Sequence, residues 1–197
     1  AGAEWVRQIL GAECQPGGVH VRMGTHNLLL RLSADVYLEV IAPDPTAPSP
    51  ARPRWFGLDV PSPNAGLDSQ LGWHGQTTLW PQKLPVRTTG PIEPMSRGDL
   101  NWAITVPTDG SLPFGGAGPL LIQSDCSSHP ASRLPDDGYT LVILEVTHPQ
   151  ACRLRAMLEA IGFQGPVIMG QRDAIALTAF IETSLGLRRL SSILESE

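Results

Sequence analysis

The chain has 197 residues, 42% apolar and 17% charged, an ordinary globular composition that argues against wholesale disorder. A net charge of −5 with no Lys/Arg-rich run speaks against nucleic-acid binding, and no apolar run approaches the roughly 18 residues a membrane span needs. Twenty glycines and 19 prolines favour many short strands and turns over a helical bundle.

In chain order, "AEWVRQILGAE" places Trp5, Val6, Ile9 and Leu10 at helical spacing, with Gly11 as the C-cap. "GVHVRMG" and "THNLLLRLS" follow as strands, the latter with Leu28, Leu30 and Leu32 on one face. "DVYLEVIAPD" closes this block at the Pro-rich segment "APDPTAPSPARPR", a surface linker stiffened by its prolines. "PRWFGLD" allows one helical turn, and "PSPNAGLDSQLGWHGQ" reads as loop, with His74 at an entrance.

A second group of strands comprises "TTLWPQ", "DLNWAITVP" (Leu100, Trp102, Ile104 and Val106 on one face) and "PLLIQSD". A third block opens with the strongly apolar strand "YTLVILEVTHP". The helix "QACRLRAMLEAIG" follows, then "PVIMG", "DAIALTAFIET" and "GLRRLS" as strands. The first and third blocks share a helix, a Gly-containing turn and three strands at an offset near 150 residues, which sets Glu39 opposite Arg189 and reads as an internal repeat. The resulting division is 1–45, a first unit without its opening strand; 46–75, linker and loop; 76–135, a second, mostly β unit; and 136–197, a third unit. The repeat places the missing opening strand upstream of Ala1.

Cys14, Cys126 and Cys152 are odd in number, widely spaced and without a CxxC pair, so neither a disulfide framework nor a zinc cluster is expected. A reducing cytoplasm suits that pattern. "GGAG" lacks the lysine of a phosphate-cradling loop, and "SRGD" reads as a chance match to an adhesion tripeptide.

The order of "GTHNLLLRL", "DVYLEVIAPDP", "RPRWFGLD", "GPIEPMSRGDLNWAITVP" and "PLLIQSDCSSHPASRLP" resembles the glyoxalase-like domain proteins. These form a branch of the vicinal oxygen chelate superfamily, alongside glyoxalase I, extradiol dioxygenases and bleomycin-resistance proteins. The resemblance implies an α+β fold in which repeated βαβββ units form a partly open mixed β-barrel around a pocket. It implies a glyoxalase-like small-molecule enzyme, of lyase, isomerase or dioxygenase type, or else a non-catalytic binding protein of the bleomycin-resistance type. A divalent metal (Zn, Fe, Ni, Mn or Mg) would be held by a fourth-strand Glu, which falls on Glu39, and by a first-strand His. The fourth-strand position of the middle unit falls near Gln123, and the third unit offers Thr140 and Arg189, a structural rather than a ligating set. Expected partners are a small-molecule ligand and a second copy of the chain, with no nucleic acid and no membrane.

Glu39 sits in the middle of an apolar strand, on the face of Tyr37 and Ile41, where an uncompensated charge would cost several kcal/mol. It is the candidate catalytic residue and metal ligand, expected to face the largest pocket; the alternative is a structural ion pair with Arg31 or Arg22. His26 is a candidate second metal ligand or proton relay. Tyr37, Trp102, Gln123 and His129 complete the candidate ligand-binding set, and Trp55, Trp73 and Trp80 supply further aromatic wall or core.

Overall fold

A computed structural model of the chain describes residues 1–60, 73–76, 89–97, 100–124 and 129–192. The expected strand "TTLWPQ", Trp80, Cys126 and the last two residues of "SRGD" lie outside the described residues, as does the side chain of His74.

The fold is α+β and dominated by sheet: the described residues form two helices, α1 (Gly2–Leu10) and α2 (Ala151–Ala160), and three sheets. The first sheet is an antiparallel meander of β1 (Gln15–His20), β2 (Thr25–Arg31) and β3 (Tyr37–Pro43). The second has the order β4-β7-β6-β5, from β4 (His74–Gln76), β5 (Ile92–Arg97), β6 (Leu100–Thr105) and β7 (Leu120–Ser124). The third has the order β11-β10-β8-β9, from β8 (Thr140–His148), β9 (Val167–Gln171), β10 (Ala176–Thr183) and β11 (Gly186–Ser191). Among the described residues no sheet closes into a barrel.

The apolar spacing explains how the sheets are held together. α1 ends at Gly11, whose φ of 69° is the left-handed conformation that glycine adopts at no steric cost. Its stripe of Val6 and Leu10 packs against Leu30 and Leu32 of the first sheet and against Ile181 and Leu190 of the third. The opposite face of the first sheet carries Ile41, which meets Trp55, Met95, Trp102, Ile104 and Ile122 between the first and second sheets. The far side of β7 offers Leu121 to α2 and the third sheet, with Leu144, Val146, Leu154 and Met157. Three apolar clusters thus join three sheets pairwise.

The internal repeat does not hold as expected. After α1, β1, β2 and β3 pair consecutively and antiparallel. After α2, β9 pairs in parallel with β8, and β8 lies between β9 and β10. The strand that precedes the helix in the third block occupies the edge that would otherwise join β9 to β10. The "DAIALTAFIET" segment is a strand, as its period-two pattern requires.

The Pro-rich segment is tied down at several points. Arg54 bonds Asp59 at 2.6 Å and reaches the Gly24 carbonyl at 3.3 Å. Glu93, on the edge strand β5, is bracketed by Arg22 from the turn after β1 and by Arg52 from the linker. The Glu93 pairs connect three chain segments: the turn after β1, the linker and β5.

Candidate functional site

Glu39 lies on the face of the first sheet that is turned toward the second sheet, because β3 alternates Tyr37, Glu39 and Ile41 inward against Leu38 and Val40 outward. The register sets Leu29 opposite Glu39 and Ile41 opposite Asn27. Asn27 donates from Nδ2 to Glu39 Oε1 at 2.5 Å, while its own Oδ1 accepts from the Gly18 N–H at 2.7 Å. The carboxylate is therefore held from the neighbouring strand by an amide whose orientation is fixed by backbone. Gly17 makes room for this: a Cβ there would stand 2.2 Å from Asn27 Oδ1.

Two further groups complete the charge pattern. His20, at the end of β1, has Nδ1 3.2 Å from Thr25 Oγ1 and accepts from Arg97 Nη1 at Nε2, 3.4 Å away. Because arginine only donates, the imidazole proton belongs on Nδ1, facing the threonine. Burial lowers the His20 pKa, Glu39 partly offsets this, and Arg97 lowers it further. Burial also raises the Tyr37 phenol well above its usual range, helped by Glu39 and opposed by Arg97. A carboxylate and a guanidinium thus act with opposite sign on the same imidazole and the same phenol.

Aromatic side chains wall this region. Trp55 is 3% exposed and meets the His20 ring edge-on, with centroids 5.0 Å apart. It is presented by a turn in which Phe56 takes a left-handed φ of 60°, held by the Gly57 N–H bonding to Gly110 O at 2.8 Å. Tyr37 lies 5.7 Å from the His129 ring, and His129 Nδ1 accepts from the Ala131 N–H at the start of a short 3-10 turn.

The candidates from sequence divide cleanly. Glu39, Tyr37, Trp102 and His129 come from the faces or loops that border the space between the first two sheets. His26 does not join them: it pairs with Ala42 on the opposite face and is exposed. Gln123 alternates away as well, opposite Ala103, while Ser124 and Ile122 take the face of Trp102. Neither suggested structural partner binds Glu39. Arg31 pairs with Asp136 at 3.1 Å, and Arg22 pairs with Glu93.

Three residues at the centre of the site were not expected: His20, Asn27 and Arg97. Asn27 was legible in principle, since it alternates with Thr25 and Leu29 against the Leu28–Leu30 face. Arg97 was hidden because β5 contains Pro94, which reads as a strand breaker but is tolerated on an edge strand.

Among the described residues, no three His, Cys, Asp or Glu side chains gather closely enough to hold a metal ion. Among the described residues, Glu39 has beside it an amide, a phenol and an imidazole that accepts from a guanidinium. A divalent cation placed there would be repelled by Arg97 and would displace Asn27. Among the described residues, this donor set does not fit the metal that the resemblance implies. Glu39 is not among the residues that line a surface cleft of about 700 Å³ between the second and third sheets.

Neither the curated proteins nor the solved structures contain a match to the chain. A family model described as "Glyoxalase-like domain" matches residues 1–162, covering α1, the first two sheets, β8 and α2. The chain therefore belongs to the glyoxalase-like domain family, within the vicinal oxygen chelate superfamily.

Proposed function

We propose that the protein is a small-molecule enzyme of isomerase or lyase type that moves a proton on a substrate carrying adjacent oxygen functions. The observation that supports this reading is the pairing of Glu39, oriented by Asn27, with Arg97 across the same His20 and Tyr37. Glu39 takes a proton from carbon beside a carbonyl. Arg97 holds the oxygen on which negative charge develops, and the Tyr37 phenol, kept protonated, donates to the same region. Trp55 and Trp102 shield the reacting carbon from bulk water. No step in this scheme requires a metal.

A second reading is favoured by the aromatic supply: Trp55, Trp102, Tyr37 and His129 could wall a ligand that is bound and released unchanged. One experiment separates the two. Small 2-hydroxy carbonyl compounds and 2-oxo acids are incubated with the protein in deuterium oxide, and exchange at the carbon next to the carbonyl is followed by NMR. Catalysed exchange that disappears in Glu39→Gln, with ligand binding retained, is the expected result. Binding without exchange in the unaltered protein would establish the binding reading instead.

A further inference from the structure

The surface cleft of about 700 Å³ is bordered by the Pro107–Gly115 turn on one side and by the start of α2 on the other. Its volume falls within the range of small-molecule sites. Phe114 and Ile175 provide apolar wall, and His148, Gln150 and Arg153 bring polar groups from the end of β8 and the first turn of α2. Phe114 has φ 51°, a left-handed conformation that fixes where its ring projects. Ile175 is 41% exposed, an apolar side chain left open at the cleft.

His148 carries the argument. It is 7% exposed, and Nδ1 accepts from the Gln150 N–H at 2.8 Å, so the ring proton of the neutral imidazole belongs on Nε2. Nε2 has no partner among the described residues and is not sealed from solvent, and the residue borders the cleft, so this donor opens on it. Arg153 stands beside it, with its guanidinium 5.9 Å over the Phe114 ring and Nη1 donating to Gln150 Oε1 at 2.6 Å. His148 meets the same Phe114 ring edge-on at 5.5 Å. Asp109, the acid in the lining, turns its Oδ1 onto Ser111. Burial, reinforced by Arg153, lowers the His148 pKa and keeps the ring a neutral donor.

We propose that this cleft is a second small-molecule site, separate from the Glu39 region, that takes a small aromatic carboxylate. Its ring lies against Phe114 and Ile175, and its carboxylate lies between Arg153 and the His148 Nε2–H. The chemistry follows from the lining: one cation, one buried neutral donor and an aromatic wall match a planar anion better than a cation or a purely apolar ligand.

The test is an NMR titration of the full chain with benzoate, using neutral benzamide as the isostere. Benzoate should give saturable shifts at His148, Arg153 and Ile175. Benzamide should bind about tenfold more weakly or worse, because the charge-assisted bonds are lost. Arg153→Met keeps the side-chain stem at an exposed position, and it should weaken benzoate by a similar factor of about ten. Glu39→Gln should leave benzoate binding unchanged. Equal affinity for benzoate and benzamide, an unaffected Arg153→Met variant, or shifts confined to the Glu39 region would each overturn the proposal. None of these results bears on proton transfer at Glu39, so the two sites stand or fall separately.

Discussion

The first and third blocks follow the same chain order of helix, turn and three strands, yet they build different sheets. In the first, β1, β2 and β3 form a plain meander whose inward face carries Asn27, Tyr37 and Glu39. In the third, β8 pairs with both β9 and β10, and the residue at the position corresponding to Glu39 is Arg189. The lesson is that apolar periodicity fixes which face of a strand is buried but not which strand lies beside it. Pairing depends on which strands compete for an edge, and in the third block β8 takes the edges of both β9 and β10.

That contrast can be broken or sharpened by substitution. Leu190→Ala removes a fully buried side chain from the cluster that α1 shares with both blocks, and should cost about 3 kcal/mol. If the blocks form one cooperative unit, hydrogen exchange should quicken in β2 and β3 as well as in β11. Faster exchange confined to the third sheet would show two independent units. Glu93→Gln leaves Arg22 and Arg52 without their shared carboxylate and should cost about 2 kcal/mol in denaturant unfolding. The third block has no such tie to the Pro-rich linker among the described contacts.

Gly17→Ala, at the irregularity within β1, and Gly165→Ala, just before β9, test the glycines that follow the helix in the two blocks. A Cβ at Gly17 collides with Asn27 Oδ1, whereas one at Gly165 meets only the Phe163 ring. Each should cost about 1 kcal/mol, but only Gly17→Ala should reduce Glu39-dependent proton exchange. Equal loss of exchange in both would remove Asn27 from its positioning role.

The smallest effect separates the two depressed histidines, one in each block. Folding holds both His20 and His148 below the ordinary 6.5, so the unfolded chain binds more protons in the window beneath that value. Stability should be full above pH 6.5 and decline as the pH falls through the folded-state values. Glu39 raises the His20 pKa and is not among the influences on His148. Glu39→Gln should therefore lower the His20 pKa further and leave His148 where it is, as read from imidazole proton shifts.

Much of the fold was legible because burial leaves a periodic trace. α1 with its Gly11 cap, β2, β3, β6, β8 and α2 follow directly from apolar spacing. Glu39 was legible because a charge in the middle of an apolar strand requires an explanation. His26 and Gln123 were misplaced for one reason: each alternates to the wrong face, which strand parity alone could have shown once a site face had been chosen. Arg97 required more than parity. Pro94 masks its strand, and its meeting with His20 spans 77 positions that no local pattern connects.

The position of α1 also constrains the order of assembly. Val6 and Leu10 are synthesised more than 170 residues before Ile181 and Leu190, yet the four share a cluster. Closing a loop of that length is slow, because its entropy must be surrendered before any contact rewards it. During translation, α1 can dock on Leu30 and Leu32, but the part of its apolar stripe that meets Ile181 and Leu190 stays wet until β11 has left the ribosome. A nascent chain stalled just before β11 should therefore hold a formed first sheet with a sticky, partly covered helix, the species that a chaperone would capture.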